Sequence, residues 1–338
     1  MPVIEADRAA PSPWPGYAAA VGAASLFAWL GPLSRWAYDG GMVPVSFVAW
    51  RAGIGALALA VVVIAMWSRL PDLRLVPRRQ WLVLGVAAVT ALTLNLSSFA
   101  AFERTSVALV LIGFYTYPAM VAVIAVLLGR DAPSRLVLGA LGLASVGMLL
   151  VVAGSLDGTT GVRLDLSGLL LAFGAAASQT VFVTISRDGY RAVPAQVATM
   201  AVLSGTLLGC LVVGLAAGLG PALLLPAREP GLLPTVAVAG ILVAALPSLL
   251  FLTAIRRIGG TRAGIVMLLE PVVGVGLAAL LLGETLRPVQ VLGAAAVLGA
   301  ALLLQRSRPA AVRAIAAEPE RDTALGAHEA VPGPPGTR

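Results

Sequence analysis

Glu270 stands inside an apolar run, Met267-Leu268-Leu269-Glu270-Pro271-Val272. A carboxyl at the centre of a membrane helix costs about 2.5–3.5 kcal/mol on insertion scales, so it should face protein or a water-filled cavity and have a partner. Two roles are open: coupling to a substrate or a proton, or a neutral glutamic acid that bonds the carbonyls freed by Pro271. Proline lacks an N–H and clashes with the carbonyl four residues back, here Met267, so it should kink the helix and open space beside it. A second proline, Pro118, follows Tyr117 inside another apolar run and should act likewise on Phe114. Tyr115 and Tyr117 are two helical positions apart, about 200°, so one of them faces a given cavity, and Tyr117 is the choice. Arg51, Asn95, Gln179, Ser248 and Trp29 complete the candidate substrate-binding set. Arg51 could pair with Glu270, receive an anionic substrate group, or snorkel to the outer interface; at ~10 Å from its helix end, snorkelling is slightly favoured. Asn95 and Ser248 have a second use as polar contacts between helices, and Trp29 could equally pack against lipid or helices.

These residues need elements to hold them, and the composition says which kind. Of 338 residues, 59% are hydrophobic and 12% charged, with mean hydropathy +0.95. A chain of that make-up cannot keep a soluble surface wet. Its charges fall in short gaps between apolar runs of about 20 residues, enough to cross ~30 Å of hydrocarbon at 1.5 Å per residue. Ten spans follow, near 17–38, 44–68, 81–103, 106–128, 134–153, 166–186, 194–217, 234–256, 261–282 and 288–305. Pro44, Pro133, Pro194, Pro234 and Pro288 fall at or near span starts, where a missing N–H costs nothing. The expected fold is an all-α integral membrane protein.

The same inventory excludes much chemistry. All 23 basic residues are arginine, so there is no lysine for a P-loop, a Schiff base or a pyridoxal cofactor. The one histidine, His328, lies in the polar tail and Cys210 is the sole cysteine, which leaves no metal site and no disulfide. No cofactor is expected, and no enzyme. The net charge of +7 does not point to nucleic acid, because the arginines are scattered through loops. With the N-terminus inside, seventeen of them lie in cytoplasmic segments and five on the opposite side, so both termini should be cytoplasmic. Residues 306–338, with few large apolar side chains, should form a disordered cytoplasmic tail.

An internal repeat joins the two prolines. Shifted by 153 residues, the distance from Tyr117 to Glu270, Pro118 meets Pro271, Asn95 meets Ser248 and Ala101-Phe102-Glu103-Arg104 meets Ala254-Ile255-Arg256-Arg257. One residue more aligns Val137-Leu138-Gly139-Ala140 with Val291-Leu292-Gly293-Ala294. The chain divides into a segment 1–16, a first repeat 17–153, a second repeat 166–305 and the tail. Five spans per half is an odd number, so the second copy enters from the other side. Inverted repeats of this kind place a substrate site at the repeat interface near the midplane.

Leu269-Glu270-Pro271-Val272 leading to Leu281-Leu282-Gly283-Glu284-Thr285-Leu286, in a chain of two five-helix halves, resembles the EamA family of the drug/metabolite transporter superfamily. Arg104-Thr105-Ser106-Val107-Ala108 running to Tyr117-Pro118, Arg257-Ile258-Gly259-Gly260-Thr261-Arg262-Ala263 running to Glu270-Pro271, and Trp50-Arg51-Ala52 are similar to that family too. The chain departs from it at Gly129-Arg130-Asp131 and at Gln179, where tryptophan is common. The resemblance implies a secondary transporter for a small metabolite, an amino-acid-like compound or a drug, exporting across the plasma membrane by alternating access. It also implies a path lined by spans 1–4 and 6–9, with spans 5 and 10 peripheral. The expected partners are a small-molecule substrate and the lipid bilayer, with the chain a monomer or homodimer. The competing reading is a membrane protein without transport activity, handling lipid or serving as a scaffold.

Overall fold

The structure is a computed structural model, and it describes residues 12–105, 107–129, 133–154, 165–282 and 286–305. The 306–338 tail with His328, the start of the 1–16 segment, the Arg130-Asp131 turn and the Gly283-Glu284-Thr285 motif lie outside the described residues.

Helices run as α1 Trp14–Asp39, α2 Pro44–Ala65, α3 Arg78–Arg104, α4 Leu109–Leu127, α5 Arg135–Gly154, α6 Leu166–Ser186, α7 Ala195–Ala216, α8 Pro230–Ile258, α9 Gly260–Leu281 and α10 Pro288–Gln305. Among the described residues, α1–α9 are long and apolar enough to cross a membrane, and the apolar part of α10, Pro288–Leu304, is shorter. No strand occurs among the described residues. The chain is thus all-helical, as its hydropathy pattern requires. Local signals explain the ends. Pro44 opens α2 after an extended Val43, and the Asp165 side chain accepts from Gly168 N at 3.0 Å to cap α6. Gly259, at φ +83, reverses the chain between α8 and α9, a conformation that L side chains rarely adopt.

Among the described residues four helices are interrupted, and each interruption lies within a few residues before a proline. The first part of α1 ends at Phe27 with Ala28 as its cap, ahead of Pro32. In α4 the first segment ends at Phe114 and the second begins at Tyr117, ahead of Pro118. In α9 the break falls between Met267 and Leu269, ahead of Pro271. In α8 the strain is absorbed by a π-turn, Ala239–Ala245, ahead of Pro247. The kinks expected at Phe114 and Met267 are present, and α1 and α8 carry two more.

Packing runs between the halves rather than within them. The large pairings are α1 with α8 and α9, α2 with α7 and α8, α3 with α6 and α7, α4 with α6 and α9, and α5 with α10. Exchange each helix for the one five places away and this set maps onto itself: α1 with α8 becomes α6 with α3, and α2 with α8 becomes α7 with α3. Such a pattern is what a two-fold relation between the repeats produces. It also means that neither half has a core of its own. Where helices cross closest, glycine makes room. A Cβ on Gly147 would lie 2.6 Å from the Gly293 carbonyl oxygen, and one on Gly293 would lie 2.5 Å from that of Gly147.

Candidate functional site

Where α4 and α9 bend, Gly264 packs on Pro118, and a Cβ there would lie 3.3 Å from both Pro118 Cβ and Tyr117 Cε2. Beside this crossing a cavity of about 260 Å³ opens between the halves. It is lined by residues of α1–α4 and α6–α9 and by Tyr190 of the α6–α7 turn. No described residue of α5 or α10 reaches it. The walls are aromatic, with Phe27, Phe99, Phe102, Phe114 and Phe251 from both repeats.

Six of the seven expected substrate-binding residues meet there: Glu270, Tyr117, Asn95, Ser248, Gln179 and Arg51. Asn95 and Ser248, equivalent under the repeat, line the same space from α3 and α8. Trp29 does not. Phe27 and Leu30, three positions apart, share the face that reaches the cavity, while Trp29, about 200° round the helix from Phe27, packs against the cluster of Leu33, Phe47, Val236 and Val243.

Arg51 corrects the expectation that it snorkels. The buried stripe of α2 runs Phe47, Arg51, Gly55, spaced by four, so the helix phase turns Arg51 inward and leaves it 9% exposed. Its Nη2 donates to Asn95 Oδ1 at 2.7 Å, and Asn95 Nδ2 is fixed in turn on the Ala91 carbonyl at 2.8 Å. The Arg51 Nε is buried without a partner. Arg51 forms no ion pair with Glu270 among the described residues.

Glu270 has the partner its cost demands, but that partner is Tyr115, whose hydroxyl shares a hydrogen bond with its carboxyl. Both tyrosines are buried and both line the cavity. The two-position argument against Tyr115 fails because the helix is broken between it and Tyr117. Its position three residues before Pro118 was the available signal. Sequence reasoning also missed Thr199, whose hydroxyl is buried without a partner on the cavity wall.

Tyr190 closes the end of the cavity at the α6–α7 turn. It is fully buried, bonds Ser186, and lies under the Arg256 guanidinium, 5.3 Å from the ring centroid. Burial pushes its hydroxyl pKa up, with the Ser186 bond and Arg256 opposing. Arg256 donates to the carbonyls of Val193 at 2.9 Å and Tyr190 at 3.2 Å, which ties this turn to α8.

The cavity therefore offers a cation, an acid, an amide and hydroxyls on aromatic walls. That set can bind and orient a small amphipathic molecule. Among the described residues no three metal-ligating side chains cluster.

No curated protein matches the chain significantly. One solved crystal structure of a protein superposes with a TM-score of 0.65 at 18% identity, covering 86% of this chain and 96% of its own, a likeness of fold alone. The model of the EamA-like transporter family matches twice, over residues 14–153 and 166–306, one match for each five-helix half. The chain is a multi-pass membrane protein and belongs to the EamA-like transporter family.

Proposed function

We propose that the chain is a secondary transporter that moves a small metabolite, amino-acid-like or drug-like, out across the plasma membrane by alternating access, with both termini cytoplasmic. The observation that carries this reading is the cavity between the repeats, walled by eight helices, four of them interrupted beside prolines. A volume of about 260 Å³ lies below the ~300–1,000 Å³ of drug-sized sites and favours a small cargo. Broken helices at a repeat interface supply the points where one half can rock against the other.

Glu270 couples the cycle in this reading. It stands beside a kink and bonds a neutral tyrosine rather than a fixed cation, so its carboxyl is free to exchange a proton or a cationic substrate group. Comparing metabolites in cells with and without the protein identifies a cargo, and uptake into vesicles under an imposed proton gradient then tests coupling. Glu270→Gln keeps the size and can still accept from Tyr115. It should abolish gradient-driven flux while the protein still reaches the membrane, and normal flux in that variant contradicts the assignment. A reporter fused after Arg338 should be active inside the cell, and activity confined to the outside refutes the orientation.

A further inference from the structure

The cavity holds two opposite charges that do not pair with each other. Arg51 is nine-tenths buried, and among the described residues its single side-chain acceptor is the neutral Asn95 and its Nε has no partner. Glu270 acts on it only through space, and leaving a buried guanidinium without a contacting counter-ion is costly. Yet the surroundings hold it firmly: Asn95 is anchored on its own helix at Ala91, and the α2 backbone presses on α8 where a Cβ on Gly55 would lie 2.8 Å from the Gly240 carbonyl oxygen. Both Arg51 and Asn95 line the cavity, so the guanidinium borders the space that a ligand fills.

We propose that Arg51 is the receptor for a carboxylate on the transported molecule, with Asn95 setting the plane of the guanidinium and the phenylalanine walls taking an apolar body. A planar, forked donor matches a carboxylate with two parallel hydrogen bonds, which a point charge could not orient. The bound carboxylate supplies the contacting counter-ion that no described side chain provides. Glu270, held by Tyr115 on another wall, is left for the proton or for a cationic group of the same molecule. This assignment rests on the transporter reading for its biological meaning but not for its test, which reads binding.

The test uses the purified full-length protein in lipid nanodiscs and three probes that share a phenyl ring and differ in head group: phenylacetate, 2-phenylethanol and 2-phenylethylamine. By the strength of charge-assisted bidentate bonds, phenylacetate should bind the wild type about tenfold or more tighter than the alcohol, and Arg51→Gln should remove that advantage while changing alcohol binding by less than about twofold. Asn95→Asp guards against a folding artefact. It places a carboxylate where Oδ1 now accepts from Nη2, giving Arg51 an internal counter-ion. Phenylacetate affinity should fall as in Arg51→Gln, with an unfolding temperature no lower than that of the wild type. The amine should lose nothing in either variant. Phenylacetate binding no tighter than the alcohol in the wild type, or unchanged in Asn95→Asp, overturns the proposal. Binding of phenylacetate without flux in proteoliposomes would keep the receptor and overturn the transporter reading, so the two failures are distinguishable.

Discussion

The α5–α10 pair and the eight helices around the cavity are built from the same apolar alphabet and packed by opposite rules. Over Arg135–Gly154 and Pro288–Gln305 the helices are unbroken, and their contact is backbone on backbone at Gly147 and Gly293. Around the cavity, α1, α4, α8 and α9 are interrupted, and the polar groups include buried Arg51, Gln179 and Thr199 and half-buried Glu270, whose partners are few or neutral. The first arrangement minimises free energy locally. In the second, backbone bonds are given up and Arg51 and Glu270 stand without a direct ion pair, as the proposed transport site requires. In one small chain, then, close packing and the proposed transport site occupy different helices.

The largest effect that could break this contrast comes from the quiet pair. Gly147→Leu or Gly293→Leu forces a side chain into backbone on the facing helix, which cannot yield as a flexible side chain would. Overpacking of that kind costs about 1–3 kcal/mol. Purified variants should show an unfolding temperature lower by several degrees and reduced yield, while the protein that survives keeps its cavity chemistry. Unchanged melting would mean that the pair is not the support described.

Next in size is healing the breaks. Pro118→Ala with Pro271→Ala restores two N–H donors and lets α4 and α9 run straight. Stability should hold or rise, and flux should fall about tenfold or more, since gating motions need elements that can bend. Faster or equal flux would show the kinks to be passive. A smaller effect is expected from Asn95→Ala, which leaves Arg51 Nη2 without its acceptor and should cost about 1–3 kcal/mol in thermal or denaturant unfolding. Ser248→Ala, at the equivalent position with no such bond to lose, should be near neutral in the same assay.

The smallest effect lies outside the membrane, at the α6 cap. Asp165 accepts from Ser167 and from the Gly168 N–H, and these bonds hold its pKa below the ordinary aspartate value. A depressed folded-state pKa contributes stability that is present above the unfolded value and is lost as pH falls through the folded one. The melting difference between wild type and Asp165→Ala should therefore be seen at neutral pH and vanish in strong acid. A difference that persists there would place the contribution in something other than the charged cap.

What could be read from the sequence followed the residues with strong local rules. Proline fixed the breaks at Phe114 and Met267, the 153-residue shift paired Asn95 with Ser248, and short apolar runs set most helix ends within a few residues. Other features needed the helix phase or the partner surface. Arg51 was read from its depth along α2 alone, although the Phe47, Arg51, Gly55 spacing carries its inward direction. The rotation that turns Tyr115 away from Tyr117 holds for a continuous helix, and the helix is broken there. Trp29 lies two positions from Phe27, so helical spacing turns it away from the cavity that Phe27 and Leu30 line. The cross-half packing was not legible residue by residue, because lipid and a neighbouring helix ask for the same apolar surface.

The central claim is that the path lies between the repeats and that α5 and α10 stand outside it. In a Cys210→Ser background, single cysteines at Ser98 and Thr199 would sit on cavity walls from opposite repeats, and one at Leu298 on the outer face of α10. Labelling intact vesicles from each side with a membrane-impermeant maleimide, with and without substrate, reads access directly. Ser98→Cys and Thr199→Cys should react from opposite sides, with substrate changing both rates reciprocally, and Leu298→Cys should stay unreactive under every condition. Cavity cysteines that never react, or a Leu298→Cys that responds to substrate as they do, would contradict the account.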